Sequence, residues 1–583
     1  KALIKKAEYH YIFGLQKNLI PLEKDLDGYW ICRKPLLKEN DLYRFLIKLD
    51  NKKDLIPIKD PYSYYQPFGT EGWSQVIDIN TLKQMTRISV EATQNNYILE
   101  CHIGTLTNEG TFDSAIHFFK EEQTKELFNT IQLMPIAQFY GRHNWGYDGV
   151  DLFAPQNTYC QKQGPLALRK FVDTMHQLGY KVIIDLVYNH IGPFYSILES
   201  VGNYANGSTK WGNGFNFEAL QVIDFFCDNI ALWLDVYDFD GVRLDATYKM
   251  TDKALKAVVA KAKSIKPSAV IIAEDKRNTK RIVSHDIIGC TSQWNVDFSH
   301  YLESFLLKED HHKRVGLDYY TFKPGIENLF TILKSGTLRN YDPQDEKISL
   351  PEANTWMSYV SSHDDSGNFD GMRLVSKLAY KKLCDAKGKN NSDKAEKIYA
   401  LYLQNPDDPI FKDAISLYSL ALGLIFLLPG DKMFFAGDEK AVFKPFKFFA
   451  DYPVKNLAQK ISLEEGKNYP IGKESFRASV LEEDEEEDSI SYLLENLIAL
   501  DKDLFSSSFT GYLTDECISY NQETELLTVY NSAQNPTVMV VFNFSKKDAR
   551  LDFPKKKYIE LLDSCANCNP KILKRLSFKV FLV

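Results

Sequence analysis

Between about residue 96 and residue 490, short and nearly continuous apolar runs alternate with longer stretches of helical period. Such runs suit strands that are buried on both faces, as in a parallel sheet covered by helices. The eight runs cover residues 97–103, 130–136, 181–187, 241–246, 269–273, 292–298, 355–360 and 432–436. Eight βα repeats predict an α/β fold with a closed (β/α)8 TIM barrel. The open doubly wound sheet is the alternative, and the chain lacks the G-x-G-x-x-G and Walker loops that would favour it.

On either side of this region the sequence pattern is different. It consists of short strand-like segments separated by turn residues. Residues 42–47 are an example near the start, and residues 526–530 and 538–542 are examples near the end. Closely spaced short strands are typical of β-sandwiches. The sequence therefore predicts a carbohydrate-binding-module-like N-terminal β-sandwich over 1–95, a catalytic barrel over 96–490 and a C-terminal β-sandwich over 491–583.

The amino-acid composition excludes some classes of function. The 583 residues are 44% hydrophobic and 25% charged, as in a globular protein, and the net charge of −8 argues against binding to nucleic acid. The longest apolar run, residues 415–428, is too short to cross a bilayer, so we expect a buried helix and no membrane association. Nine irregularly spaced cysteines suit a reducing compartment, which predicts a cytoplasmic location.

Acidic residues stand where the third, fourth, fifth and seventh apolar runs stop, and basic residues are interleaved with them. Active sites of βα barrels lie at the C-terminal ends of the strands. A single acidic residue after a strand is often only a helix cap, but four strands ending in this way indicate a site. The residues are Asp185, Asp245, Glu274 and Asp364, together with Arg243, His190 and His363.

Converging carboxylates beside a cation suit the cleavage of glycosidic bonds. One carboxylate attacks or stabilises an oxocarbenium-like centre, and another protonates the leaving oxygen. Crowding of like charges raises the pKa of one acid and keeps it protonated. Metal binding by His190 and His363 is the rival interpretation, but neither H-x-H nor H-E-x-x-H spacing supports it, so we expect no metal and no cofactor.

Four short blocks on the same strands resemble the α-amylase superfamily, glycoside hydrolase family 13. They are residues 185–190 (DLVYNH), 241–245 (GVRLD), 272–275 (IAED) and 362–364 (SHD). The resemblance implies that Asp245 is the nucleophile, Glu274 the general acid/base and Asp364 a third carboxylate that binds and distorts the sugar. It also implies a set of substrate-binding residues, namely Tyr147, Asp185, His190, Arg243 and His363.

Further blocks, including residues 104–112 (GTLTNEGTF), 145–150 (WGYDGV) and 188–193 (YNHIGP), resemble the maltooligosyltrehalose trehalohydrolase subfamily. Glycogen branching enzymes share several of them. The chain departs from the trehalohydrolase pattern at a few positions: Cys160 replaces a glycine, Thr247-Tyr248 replaces a Val-His pair, Asp365 replaces a glutamine, and Asp438 replaces a Gln or Glu. None of these departures removes a carboxylate of the four blocks.

The resemblance implies a retaining hydrolase that acts on an α-glucan or maltooligosaccharide and releases trehalose from maltooligosyltrehalose. One alternative is a branching enzyme, in which a glucan 6-hydroxyl replaces water and converts α-1,4 into α-1,6 linkages. A second alternative is a non-catalytic glucan-binding protein on an amylase scaffold. The presence of all three carboxylates together with Arg243 weighs against the second alternative.

Overall fold

The computed structural model describes most of the 583 residues. The described residues are 7–14, 19–26, 30–32, 37–49, 54–85, 87–91, 93–121, 124–193, 196–199, 202–209, 211–309, 323–338, 350–368, 370–387, 394–454, 471–481, 488–552, 558–565 and 569–583.

A closed parallel barrel forms the centre of the fold, as predicted. Its eight strands, here called the first to the eighth barrel strand, are Tyr97–Cys101, Thr130–Leu133, Lys181–Leu186, Gly241–Leu244, Val270–Ala273, Ser292–Trp294, Trp356–Tyr359 and Asp431–Phe435. They pair in chain order, and the eighth closes on the first. Each strand falls within one of the predicted apolar runs or overlaps it, so the TIM-barrel prediction is confirmed.

The strands are buried on both faces, which explains the apolar runs. Inward side chains such as Ile98, Ile183, Ile272 and Met357 form a core inside the barrel. Outward side chains such as Val242 pack in a larger core with the surrounding helices. Inward-facing and outward-facing side chains therefore alternate along each strand.

Helices surround the barrel. The α-helices are Ile79–Lys83, Ile103–Leu106, Phe112–Glu121, Thr124–Leu127, Asn157–Cys160, Pro165–Gln177, Leu220–Ala231, Asp252–Ile265, Lys280–Val283, Val296–Leu307, Ile326–Ser335, His363–Gly367, Leu374–Lys387, Lys394–Gln404, Pro409–Ile425, Lys473–Ala478, Asp488–Leu500 and Ser506–Ser508. Short 3₁₀ or π turns are Gln161–Gln163, Leu232–Val236, Thr247–Lys249, Ala353–Thr355, Asp438–Lys440, Asp501–Phe505 and Asp515–Cys517.

The helix Pro409–Ile425 accounts for most of the longest apolar run and shows why it is helical. The Asp408 side chain accepts a hydrogen bond from the Ile410 N–H, and Pro409 occupies the first turn, where its missing N–H costs nothing. The C-terminal half of this helix is almost entirely buried, as predicted. Among the described residues no helix combines the length and the hydrophobicity that crossing a membrane requires.

A small β-domain precedes the barrel. Its main sheet contains Leu19–Pro21, Ala7–Gly14, Leu42–Leu49 and Ile56–Ile58 in that order, and Ser74–Gln75 also pairs with Leu42–Leu49. The short strands Glu23–Lys24 and Trp30–Ile31 form a separate pair. Trp30 packs with Ile47 and Ile58, so the pair and the sheet share a core.

A second β-domain follows the barrel. Its larger sheet has the order Ile518–Asn521, Leu526–Tyr530, Val538–Asn543, Ser577–Leu582, Ile559–Asp563, and a second pair joins Ala549–Arg550 to Ile572–Leu573. Leu573 packs against the larger sheet. The flanking β-domains are thus confirmed, whereas their limits stay predictions. The helix Asp488–Leu500 crosses the predicted limit at 490/491 and packs against Pro409–Ile425.

Two hairpins carry loops over the C-terminal end of the barrel. Ala137–Phe139 pairs with Gly149–Pro155, and Ala205–Ser208 pairs with Asn213–Phe215. The first hairpin holds residues 140–148, which include Tyr147. The second approaches the third barrel strand through an isolated bridge between His190 and Gly214.

Candidate active site at the C-terminal end of the barrel

Arg243 is the centre of a cluster of carboxylates. Strand pairing places it beside Asp185 on the third barrel strand. Its Nη1 donates to Asp185 Oδ2 at 2.6 Å and to Asp245 Oδ1 at 2.8 Å, and its Nη2 donates to Glu274 Oε2 at 2.7 Å. The guanidinium carbon also lies 4.3 Å from the ring centre of Trp294. A fully buried cation thereby joins residues from four consecutive strands, and its partners compensate for its burial.

Asp245 immediately follows the fourth barrel strand. Besides the bond from Arg243, its carboxylate Oδ2 accepts a hydrogen bond from Asn189 Nδ2 at 2.5 Å. The same amide also donates to the Asp245 backbone oxygen at 3.0 Å. These bonds fix the orientation of the carboxylate while 14% of the side chain remains exposed. Hydrogen bonds of this kind are strong and directional, and a nucleophile needs such a fixed orientation.

Glu274 follows the fifth barrel strand, and its Oε2 also accepts the Ala246 backbone N–H at 3.0 Å. Ala246 reaches this position with a left-handed φ of 42°. Burial raises the pKa of Glu274 well above its usual value, and the negative charges of Asp245 and Asp364 add to the rise, while Arg243 opposes it. The environment thus favours a proton on this carboxyl group.

Tyr147 and Asp185 also contact Arg243. The Tyr147 hydroxyl donates to Asp185 Oδ2 at 2.6 Å. Burial raises the pKa of Asp185 to about 6, although Arg243 lowers it. Asp185 is completely enclosed, so it supports Arg243 and Tyr147 rather than facing a ligand.

Asp364 and His363 begin the short helix His363–Gly367 after the seventh barrel strand. Ser362 and Asp365 form a reciprocal capping box that fixes this helix start. Asp364 Oδ1 accepts from Asn368 Nδ2 at 2.7 Å, and 45% of the Asp364 side chain is exposed. His363 is buried, and its ring stacks on Tyr147 with the centres 5.1 Å apart. Asp364 is therefore the most open of the three carboxylates.

His190 lies at the end of the third barrel strand, close to Asn189 and Trp211. Its Nδ1 is 2.5 Å from Asn189 Oδ1, and its ring centre is 5.7 Å from that of Trp211. Burial lowers the pKa of His190, while Asp148 and Asp245 oppose this effect. Its Nε2 is buried and makes no hydrogen bond to another side chain in the described part of the chain. Burial therefore favours the neutral imidazole.

The eight residues singled out from the sequence thus meet at one end of the barrel. Six of them form a continuous network of contacts around Arg243 and Tyr147, which consists of Tyr147, Asp185, Arg243, Asp245, Glu274 and His363. Asp364 joins through His363, whose Nε2 lies 3.6 Å from Asp364 Oδ1. His190 joins through Asn189, which contacts both His190 and Asp245.

Glu100, in the first barrel strand, is a site residue that the sequence reasoning missed. It is fully buried, and its carboxylate accepts hydrogen bonds from both the backbone N–H and Nδ1 of His363. The available signal was an acidic residue inside the apolar run 97–103. Trp294 was also missed, because an aromatic residue in a strand is normally a packing residue.

Two of the residues that depart from the trehalohydrolase pattern, Thr247 and Asp438, form hydrogen bonds with nearby residues. The Thr247 hydroxyl shares its one proton between two acceptors, Asp275 Oδ2 at 2.8 Å and the Glu274 backbone oxygen at 3.0 Å. Asp438 accepts from Arg373 Nη1 at 2.8 Å and from Ser361. Cys160 is simply buried. Among the described residues no group of three or more His, Cys, Asp or Glu side chains is arranged to hold a metal ion.

No protein-family profile matches the chain. Among curated proteins, it is 30% identical over 480 residues to malto-oligosyltrehalose trehalohydrolase of Saccharolobus solfataricus, covering 79% of this chain and 76% of the relative. The corresponding enzyme of Rhizobium sp. is 26% identical, with 91% and 87% covered. A 1,4-alpha-glucan branching enzyme of Pseudoalteromonas atlantica is 25% identical, with 54% and 50% covered.

Solved structures of the α-amylase type share the fold. A putative α-amylase from Salmonella typhimurium superposes with a TM-score of 0.76 at 22% identity, covering 100% of this chain and 97% of that one. A pullulanase from Anoxybacillus, solved with maltotetraose, gives a TM-score of 0.73 at 16% identity, with 100% and 85% covered.

Proposed function

Because the chain belongs to the malto-oligosyltrehalose trehalohydrolase family of the α-amylase superfamily (glycoside hydrolase family 13), we propose that it releases trehalose from maltooligosyltrehalose. It is an α-glucan-active glycoside hydrolase, and in this proposal it cleaves the α-1,4 bond adjacent to the trehalose unit. The observation that carries the proposal is the contact of one buried guanidinium, Arg243, with both Asp245 and Glu274.

In the first step, Asp245 attacks the anomeric carbon while Glu274 transfers its proton to the departing glycosidic oxygen. The raised pKa of Glu274 supports the acid role, since the group must hold a proton before the bond breaks. The hydrogen bonds from Arg243 and Asn189 support the nucleophile role by fixing the orientation of the Asp245 carboxylate. Trehalose leaves, and the shortened maltooligosaccharide remains as a covalent ester on Asp245.

In the second step, water attacks the ester and Glu274 accepts its proton. Two inversions at the same carbon retain the anomeric configuration. Consumption of the first proton leaves Glu274 ionised, and Arg243 at 2.7 Å stabilises that state. Glu274 therefore acts first as an acid and then as a base.

The remaining site residues bind the reacting glucose in this proposal. Asp364 is exposed enough to accept hydrogen bonds from sugar hydroxyls and to favour a distorted ring. His190 and His363 form hydrogen bonds to sugar hydroxyls in this proposal, and His363 lies beside Asp364. Tyr147 provides an aromatic face next to the cluster, and Asp185 holds Tyr147 and Arg243 in place.

Branching is the alternative outcome of the same covalent intermediate, and the similarity to a branching enzyme keeps it open. Product analysis separates the reactions. The protein is incubated with maltooligosyltrehalose and, separately, with amylose, and products are resolved by chromatography. Free trehalose plus a shorter maltooligosaccharide supports the proposal. New α-1,6 linkages from amylose without a rise in reducing ends, and no trehalose from the first substrate, would replace it with branching.

We propose a cytoplasmic location on the basis of the cysteines. Four buried cysteines, Cys101, Cys160, Cys290 and Cys517, are free thiols. Free thiols in such number suit a reducing compartment. Fractionation of the source cells, with an antibody against this chain, tests the location.

A further inference from the structure

Glu100 is a buried carboxylate whose partners belong to the active-site cluster. It lies on the first barrel strand and is completely enclosed. Its Oε2 accepts the His363 backbone N–H at 2.9 Å, and its Oε1 accepts from His363 Nδ1 at 2.8 Å and from Gln132 Nε2 at 3.2 Å. An ionised carboxylate without such partners would be costly to bury, so Glu100 and His363 depend on each other.

Both nitrogens of His363 face carboxylates. Nδ1 faces Glu100, and Nε2 lies 3.6 Å from Asp364 Oδ1. A carboxylate accepts a hydrogen bond but does not donate one, so a proton on each nitrogen satisfies both contacts at once. The imidazole ring also stacks on Tyr147, with an interplanar angle of 18°, and meets the edge of Trp145 at 5.2 Å. These ring contacts help to hold the imidazole in this orientation.

We propose that Glu100 is a positioning residue that keeps His363 as a doubly protonated imidazolium, with its Nε2–H directed toward Asp364 and the sugar. The role rests on the proposed function, since it presumes that Asp364 binds the reacting glucose. Glu100 is completely enclosed, so in this proposal it acts on the sugar only through His363. Its charge is balanced by the imidazolium, so it adds no net charge to the site.

The electrostatic surroundings of His363 agree with this role. Burial alone lowers the pKa of His363, but Glu100 and Asp364 raise it to about 9, against the opposing charge of Arg243. His102 also lies on the first-strand side, and burial lowers its pKa to about 4, so it stays neutral. In turn, burial raises the pKa of Glu100, whereas His363 and Arg243 bring it below its usual value.

A double-mutant cycle with Glu100→Gln and His363→Gln tests whether Glu100 acts through His363. Glutamine keeps the size of the side chain but removes its charge. We expect Glu100→Gln to lower kcat/KM by about 10²-fold in the wild-type background and by less than about threefold in the His363→Gln background. Equal losses in the two backgrounds would overturn the proposal, because a purely structural defect would add to the loss of His363.

The protonation state of His363 is measured without any substrate, so this readout is independent of the proposed function. The protein is deuterated and labelled with ¹⁵N-histidine, and His363→Gln assigns the signal. At pH 7.5 we expect imidazolium shifts on both ring nitrogens, and a pKa lower by roughly one unit or more in Glu100→Gln. A neutral His363 in the wild-type protein, or a pKa that Glu100→Gln leaves unchanged, would overturn the proposal.

A control substitution separates this role from general damage to the barrel. Asp431 is a buried carboxylate at the N-terminal end of the eighth barrel strand, whereas the site lies at the C-terminal end of the barrel. It accepts hydrogen bonds from Asn96. Asp431→Asn is expected to leave the His363 spectrum unchanged, and a change there would contradict the specificity claimed for Glu100. Should Glu100→Gln fail to fold, the wild-type spectrum alone still decides, since a neutral His363 refutes the proposal.

Discussion

Nη2 of Arg243 lies 2.7 Å from Oε2 of Glu274, and yet the pKa of Glu274 is raised well above its usual value. Burial and the charges of Asp245 and Asp364 together outweigh the guanidinium. The same guanidinium contacts Asp245, so one cation serves two carboxyl groups whose proposed tasks require opposite protonation states.

The Glu274→Gln variant tests the acid role. On maltooligosyltrehalose we expect kcat/KM to fall by roughly 10³-fold, because the leaving oxygen receives no proton. On α-maltotriosyl fluoride the loss is expected to be much smaller, since fluoride leaves without one. Added azide then yields an α-glycosyl azide, because azide needs no base. Equal losses on both substrates, without azide rescue, would rule out this role.

The Asp245→Asn variant tests whether the site is catalytic at all. We expect kcat to fall by at least about 10³-fold, since an amide cannot form the covalent ester. Binding of maltooligosaccharide, measured by calorimetry, is expected to persist. Asp228→Asn, on the outer helix Leu220–Ala231, is the control and keeps full activity. If the wild-type protein and Asp245→Asn are equally inactive on every α-glucan, the non-catalytic interpretation stands instead.

Thr247 is expected to stabilise the turn after the nucleophile. Thr247→Val, which restores the residue typical of the relatives, removes hydrogen bonds to Asp275 and to the Glu274 backbone. The free energy of unfolding should fall by about 1 to 3 kcal/mol, as measured by denaturant titration. Thr247→Ser retains the hydroxyl and should lose less. A valine variant as stable as the parent would show that these bonds contribute nothing.

The pH dependence of stability reports on His363. The folded chain holds the imidazole proton to about pH 9, whereas the unfolded chain releases it near pH 6.5. The stabilisation is therefore complete below pH 6.5 and is lost as the pH rises through 9, by up to about 3 kcal/mol. His363→Gln should lack this loss in denaturant titrations between pH 6 and 9.5. Parallel profiles of variant and parent would contradict the raised pKa.

The fold was predictable because a strand that is buried on both faces requires a continuous run of apolar residues. Residues 182–184, for example, are all apolar and precede the acidic Asp185, and the strand Lys181–Leu186 contains them. The acidic residues near the ends of four apolar runs, Asp185, Asp245, Glu274 and Asp364, predicted one site, since the carboxyl ends of barrel strands converge.

The partners across the barrel were not predictable. Glu100 and His363 are 263 positions apart, and the sequence shows neither that they meet nor which ring nitrogen bonds the carboxylate. In the sequence, Thr247 is likewise only a departure from the pattern of the relatives, and its contact with Asp275 is not apparent. Such pairs depend on strand register and on loop geometry, which residue periodicity does not encode.

The most direct test of the whole account is to trap the covalent intermediate. Glu274→Gln protein is incubated with α-maltotriosyl fluoride, quenched in acid, digested and mapped by mass spectrometry. Because the base that activates water is missing, the ester should accumulate. The account predicts one maltotriosyl unit on the peptide that contains Asp245, attached to that residue. An adduct on any other residue, or release of fluoride with no adduct and an inverted anomer, would contradict it.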